Sequence, residues 1–162
     1  MYQTCQIVFQ RYDSAAALSS DDQALLAAAR GALALAYAPY SHFRVGAAAR
    51  LSNGAVVGGA NFENAAYPMC LCAERSTLAA AVSQHPDTPI VALAITASAE
   101  QQPLLVPPTP CGACRQVLFE AEQKFDQPIR LILQGDGGPV LVFERVGDLL
   151  PFPFDAEVLR SI

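Results

Sequence analysis

Positive charge is scarce in this chain. Lys and Arg together number 10 against 15 Asp and Glu, giving a formal net charge of −5. A polyanion needs a basic surface, so nucleic acid is not an expected partner, while a small neutral ligand is permitted. Long apolar runs are missing too. None reaches the roughly 18 residues of a membrane-spanning helix, so no membrane partner is expected. The segment Met1–Gln10 has no basic residue ahead of its short apolar patch and does not read as a secretory signal. No internal repeat and no second domain boundary are visible. The only histidines are His42 and His85. His85 suits a helix C-terminus, where it complements the dipole, and neither histidine is expected to bind a metal.

What the chain does have is apolar mass and thiols. Of its 162 residues 52% are hydrophobic, enough for one globular domain with an ample core. Five cysteines, three of them in a metal-type pattern, fit a reducing compartment and so the cytoplasm.

Those three cysteines organise the rest. Met69–Arg75 offers the thiol of Cys72 and, two residues on, the carboxylate of Glu74. Thr109–Gln116 offers Cys111 and Cys114, three apart. Each stretch opens a run of good helix formers. Thr109 is expected as an N-cap with Pro110 at the first helical position, which puts Cys111 and Cys114 on one face of the first turn. Helix N-termini lower thiol pKa, and the thiolate is the form that binds zinc. Three ligands leave a fourth tetrahedral position open, the arrangement of a catalytic zinc. Side chains two apart on a helix diverge, so Glu74 is expected beside the metal, where a carboxylate can take a proton from bound water. Arg75, three positions after Cys72, can turn its guanidinium to the thiolates. The alternative is a closed structural site with Cys70 as fourth ligand. Glu74 discriminates, because a structural site does not require it. In the three-ligand reading Cys5 and Cys70 are small buried hydrophobes.

Taken in order, Ser20-Asp21-Asp22-Gln23 reads as a capping box. The helix it opens carries Leu25, Leu26, Ala29, Leu33 and Ala36 on its apolar face and ends at Pro39. Residues 45–51 and 55–60 read as a hairpin around Ser52-Asn53-Gly54. Gly58-Gly59 is expected to let another backbone come close. A helix follows over 72–84, then a doubly buried strand over 90–97, a proline-rich loop, and the second cysteine helix. Residues 129–133 and 140–143 complete five strands, and 146–150 form a helical turn. Gln6–Phe9 reads as either a short strand or part of a helix. The alternation gives an α/β fold, a mixed five-stranded sheet with helices on both faces.

Several ordered motifs together resemble the small free-nucleoside cytidine deaminases: Tyr40–Ala47, Asn61–Tyr67, Cys72–Arg75, Pro110–Gln116, and Leu149-Leu150-Pro151 with Phe154. The resemblance runs from about Ser20 to the end, so residues 20–162 read as a single catalytic domain and 1–19 as an extension of unknown role. It implies a three-layer α/β/α sandwich and a homotetramer whose sites neighbouring subunits complete. It implies one zinc per subunit on Cys72, Cys111 and Cys114, with Glu74 as proton shuttle and Arg75 hydrogen-bonded to the thiolates. The implied reaction is hydrolytic deamination of cytidine and 2′-deoxycytidine in pyrimidine salvage. Asn61 and Glu63 flank one apolar residue, so alternation sends both side chains the same way. The resemblance has them hold the ribose 3′-hydroxyl. It gives Phe43 the base to stack on, lets the backbone at Ala73 and Thr109 contact the base, and sends Tyr67 and the tail aromatic Phe154 into a neighbour's site. Asp155 stands where the family usually has a small residue. The rivals are a blasticidin-type nucleoside antibiotic deaminase on the same scaffold, a nucleic-acid-editing deaminase, and a non-catalytic zinc-stabilised binding protein.

Overall fold

The computed structural model describes residues 1–160. Its elements are β1 (Gln10–Tyr12), α1 (Ser20–Ala32), β2 (Phe43–Leu51), β3 (Val56–Ala60), α2 (Ala73–Gln84), β4 (Ile90–Ala99), α3 (Gly112–Phe125), β5 (Arg130–Gln134), β6 (Val140–Phe143) and α4 (Glu157–Arg160), joined by short 3₁₀ turns. Successive side chains of a strand face opposite ways, and the central strands are apolar on both sides. Ala47, Ala49, Leu51, Leu93, Ile95, Leu131 and Leu133 meet α2 and α3 through Ala73, Ala81 and Leu118. Ala48, Ala92, Ala94, Ile132, Val140 and Val142 meet α1 through Leu25, Leu26 and Ala29. Two apolar faces on one sheet produce the expected three layers.

The α1 side of β2 and β4 is built from small residues, so α1 sits close. A Cβ at Gly46 would lie 2.2 Å from the Ala29 carbonyl oxygen and 2.9 Å from the Leu33 nitrogen, both backbone atoms that cannot step aside. Gly46→Ala is therefore expected to destabilise the fold by about 3 kcal/mol, read as a lowered urea midpoint at unchanged slope. Of the glycine pair in β3, Gly59 admits α2, since a Cβ there would meet Thr77 Oγ1 at 2.5 Å; Gly58 faces only ordinary contacts.

The sheet has six strands in the order β1-β6-β5-β4-β2-β3. Five were expected. The sixth comes from the N-terminal extension, at residues 10–12 rather than 6–9, where Gln10, Arg11 and Tyr12 pair antiparallel with Val142, Leu141 and Val140. Without it the backbone groups of β6 would form an open sheet edge. Phe9 lies just outside the strand, its ring 5.5 Å from that of Phe143.

Two helix boundaries also differ from expectation. The N-cap of α1 is Ser19, whose hydroxyl accepts from the Asp22 N–H at 3.2 Å. Asp22 is then free to pair with Arg50 and Arg130. The helix stops at Ala32, well before Pro39, and Leu33 and Ala36 are only partly buried. The chain must straighten at Ala36 so that Tyr37 can bridge to Phe62.

Strand direction fixes where the site forms. β3 and β4 both run antiparallel to β2, so they run the same way and end at the same edge of the sheet. The loop after β3 leads into α2 and the loop after β4 into α3. Both helices therefore start from that one end, where open α/β sheets bind ligands.

Candidate active site

Each of those helices begins on a cysteine. Cys72 is the N-cap of α2 and Cys111 that of α3, both in extended backbone conformation (ψ 152° and 167°). Thr109 and Pro110 thus precede α3 instead of opening it. Arg115 holds this entry, its Nε donating to the Pro110 carbonyl at 2.8 Å. Cys114 follows in the first turn and is buried. The three Sγ atoms all lie within 4.8 Å of one another, with Cys111 to Cys114 at 3.5 Å and Cys72 to Cys111 at 4.0 Å. A Zn–S bond of about 2.3 Å in a tetrahedron separates sulfurs by roughly 3.8 Å, so this donor set fits zinc in kind and in size. The Cys72 thiol is lowered to about 6, chiefly by its contact with Cys114, while Cys72 and burial push the Cys114 thiol up.

Cys70 lies outside this cluster. Its sulfur accepts from the Asn64 N–H at 3.3 Å and contacts the Asn64 carbonyl at 3.7 Å. Cys5 is exposed, so the expectation that it is a buried hydrophobe fails.

Beside the thiols lies a cleft of about 260 Å³ lined by Phe43, Asn61, Glu63, Cys72, Glu74 and Cys111, with Ala73 and Thr109 also on its wall. Glu74 is 5% exposed. Burial pushes its carboxyl above the ordinary range, with its own backbone N–H and the Cys114 thiol partly offsetting that rise. A carboxyl raised in this way exchanges protons more readily near neutral pH than an exposed one.

The Asn61–Glu63 segment is not a free loop. Phe62 bridges to Tyr37 on one side and to Leu71 on the other, which holds the segment extended. Asn61 and Glu63 accordingly reach toward the same stretch, residues 40–45. Asn61 Oδ1 accepts from the Val45 N–H at 2.8 Å and its Nδ2 donates to the Phe43 carbonyl at 3.0 Å. Sequence alone does not reveal this backbone work. It uses one hydrogen and one lone pair of the amide, and the others remain for a ligand.

Comparison with known proteins gives a consistent result. The family described as "Cytidine and deoxycytidylate deaminase zinc-binding region" matches residues 19–125. A cytidine deaminase of Halalkalibacterium halodurans is 42% identical over 141 residues, covering 87% of this chain and 99% of the relative. The chain belongs to this deaminase family. A cytidine deaminase of Sporosarcina psychrophila is 40% identical over 86% of this chain and 95% of its own. The crystal structure of the Burkholderia pseudomallei cytidine deaminase superposes with a TM-score of 0.70 at 41% identity, covering 81% of this chain and 97% of that one. The matched region begins at the N-cap of α1, so β1 lies outside it.

Three of the residues drawn from the family motifs stand apart from the cleft. Tyr67 is 70% exposed in a 3₁₀ turn, edge-on to Tyr40 at 6.2 Å. Phe154 is 59% exposed, and its backbone is clasped by Gln116, which donates to its carbonyl at 2.9 Å and accepts from its N–H at 3.1 Å. Arg75 is half-buried near the cluster, and its positive charge helps lower Cys72. No hydrogen bond joins it to the thiols among the described residues. The cleft wall also includes Cys70, expected there only as the fourth ligand of a closed site, and Leu71, Ile95 and Pro108, for which the sequence carries no signal. A larger apolar groove of about 460 Å³ runs between α2 and α3, lined mainly by Leu78, Val82, Ile90, Val117, Ala121 and Phe125. It holds no thiol and lies away from the chemistry.

Proposed function

We propose that this chain hydrolyses cytidine and 2′-deoxycytidine to uridine and 2′-deoxyuridine with release of ammonia, a step of pyrimidine salvage. The observation that carries this reading is the buried carboxyl of Glu74 in the same cleft as a three-thiol cluster. Zinc held by Cys72, Cys111 and Cys114 supplies Lewis acidity, which makes water acidic enough to be a nucleophile near neutral pH. In the balanced reaction, water adds its oxygen to C4 of the base, the C4–N4 bond breaks, and the amine leaves as ammonia. Glu74 moves the protons: one of its carboxylate oxygens takes a proton from the attacking water and delivers it to the ring nitrogen N3, and it then carries the second water proton from the new C4 hydroxyl to the leaving amine as the C4 carbonyl forms. Phe43 gives the base an aromatic face, and the backbone around Ala73 and Thr109 lines its edge. Asn61 and Glu63 hold the sugar's 3′-hydroxyl. Arg75 places a positive charge near Cys72, which favours its thiolate.

Further features support a homotetramer whose sites are shared between subunits, one zinc in each. They are the apolar groove between α2 and α3 and the exposed aromatic rings of Tyr67 and Phe154. The cytoplasm suits five free cysteines, and no helix among the described residues is long and apolar enough to cross a membrane. The deciding assay measures ammonia release and absorbance change with cytidine, 2′-deoxycytidine, cytosine, CMP and blasticidin-type antibiotics. Turnover of the first two is expected. Turnover confined to the antibiotic would move the reading to the rival substrate class, and none at all would leave a zinc-stabilised binding protein.

A further inference from the structure

We propose that Ser41 is a positioning residue of the cleft, its hydroxyl fixing Glu63 and Phe43 relative to each other and so setting affinity for the sugar. The inference rests on the deaminase reading, in which Glu63 holds a sugar hydroxyl.

Ser41 stands at the centre of a small closed arrangement. Its Oγ–H donates to Glu63 Oε1, and the same oxygen accepts from the Phe43 N–H at 3.0 Å. The other carboxylate oxygen, Oε2, accepts from the backbone N–H groups of Tyr40 at 3.0 Å and Ser41 at 3.2 Å. A carboxylate has about four lone-pair positions. The 40–41 turn occupies three of them, leaving one for a donor in the cleft that Glu63 lines. The Ser41 hydroxyl, followed by the Tyr40 N–H, also holds the Glu63 carboxyl below the usual carboxylate range, so it is present as an acceptor at neutral pH.

The turn itself is closed by its own contacts. His42 adopts φ +54°, the left-handed region that a residue with a Cβ rarely enters. It is held there by its N–H on the Ala38 carbonyl at 3.1 Å and by its ring beside Glu100 at 3.3 Å. This reversal is what lets one hydroxyl reach both Glu63 and the N–H of Phe43, the residue that starts β2 and lines the cleft. An alanine at 41 keeps the two backbone donors to Oε2 but frees Oε1, and the carboxylate is no longer held in one rotation.

The test compares KM and kcat for cytidine in Ser41→Ala, Ser41→Thr, Glu63→Gln and the double variant Ser41→Ala/Glu63→Gln. Ser41→Ala is expected to raise KM about 10-fold with kcat within about twofold, because sugar contacts are made in ground and transition states alike. Ser41→Thr, which keeps the hydroxyl, should stay close to the parent. The double variant should be no worse than Glu63→Gln, since Ser41 acts through that carboxylate. A purely structural role would instead lower the unfolding temperature and add fully in the double variant, which would overturn the proposal. A weakened Glu63→Gln beside an unchanged Ser41→Ala would overturn it too, leaving the sugar reading in place. An unchanged Glu63→Gln would overturn the sugar reading and the proposal together.

Discussion

Glu74→Gln is expected to keep the fold and about one zinc per chain while turnover of cytidine falls by roughly 10³- to 10⁴-fold. The amide has nearly the volume of the carboxyl, so the buried position beside the thiols is still filled. It cannot accept a proton from water or hand one to N3, and Glu74 is the only carboxylate to approach the cluster from α2. The measurement is steady-state ammonia release alongside metal content and thermal unfolding. A variant that turns over normally with zinc in place would remove Glu74 from the chemistry.

The second large effect concerns the thiols. Cys72→Ala, Cys111→Ala and Cys114→Ala are each expected to lose most bound zinc and, with it, activity. Two sulfurs at these spacings close only half of a tetrahedron. Cys70→Ala should retain zinc and most activity, because the Cys70 sulfur is directed to the backbone of Asn64. Metal analysis of the four variants separates an open site from a closed one. Loss of zinc on removing Cys70, with Glu74→Gln fully active, would make the metal purely structural.

Much of this could be read from the chain before any coordinates. The continuous apolar run at 90–97 announces a strand covered on both faces, and the hairpin turn at Asn53-Gly54 has the positive φ (86°) its glycine suggests. The spacing of Cys72, Glu74, Cys111 and Cys114 carries its chemistry in local sequence, because a helix turn converts spacing directly into direction. What escaped depends on distant partners. β1 exists because β6 offers it an edge, and nothing in Gln10–Tyr12 alone names that partner. Ser19 displaces Ser20 as a cap by a single residue, a choice between two equally good side chains. Thr109 loses the cap of α3 to a cysteine, as the helix begins only beyond the extended Cys111. The amide of Asn61 supports β2 because the bridges at Phe62 bring it there. Tyr67 and Phe154 are exposed on the single chain, and any neighbour that covers them lies outside its sequence pattern.

The common direction of β3 and β4 has a consequence for the order in which the molecule assembles. Cys72 and Cys111 are 39 residues apart in sequence, and they meet only because both strands already flank the β2 layer. Closing so long a loop on two thiols before the strands pair would cost entropy that few other contacts yet offset. The three-thiol cluster is therefore expected to assemble late in folding. Zinc binds most strongly where all three thiols are assembled, so it is expected to slow unfolding more than it changes the rate of folding. Zinc supply is then expected to act chiefly on the lifetime of the folded chain, which an unfolding rate measured with and without the metal would read.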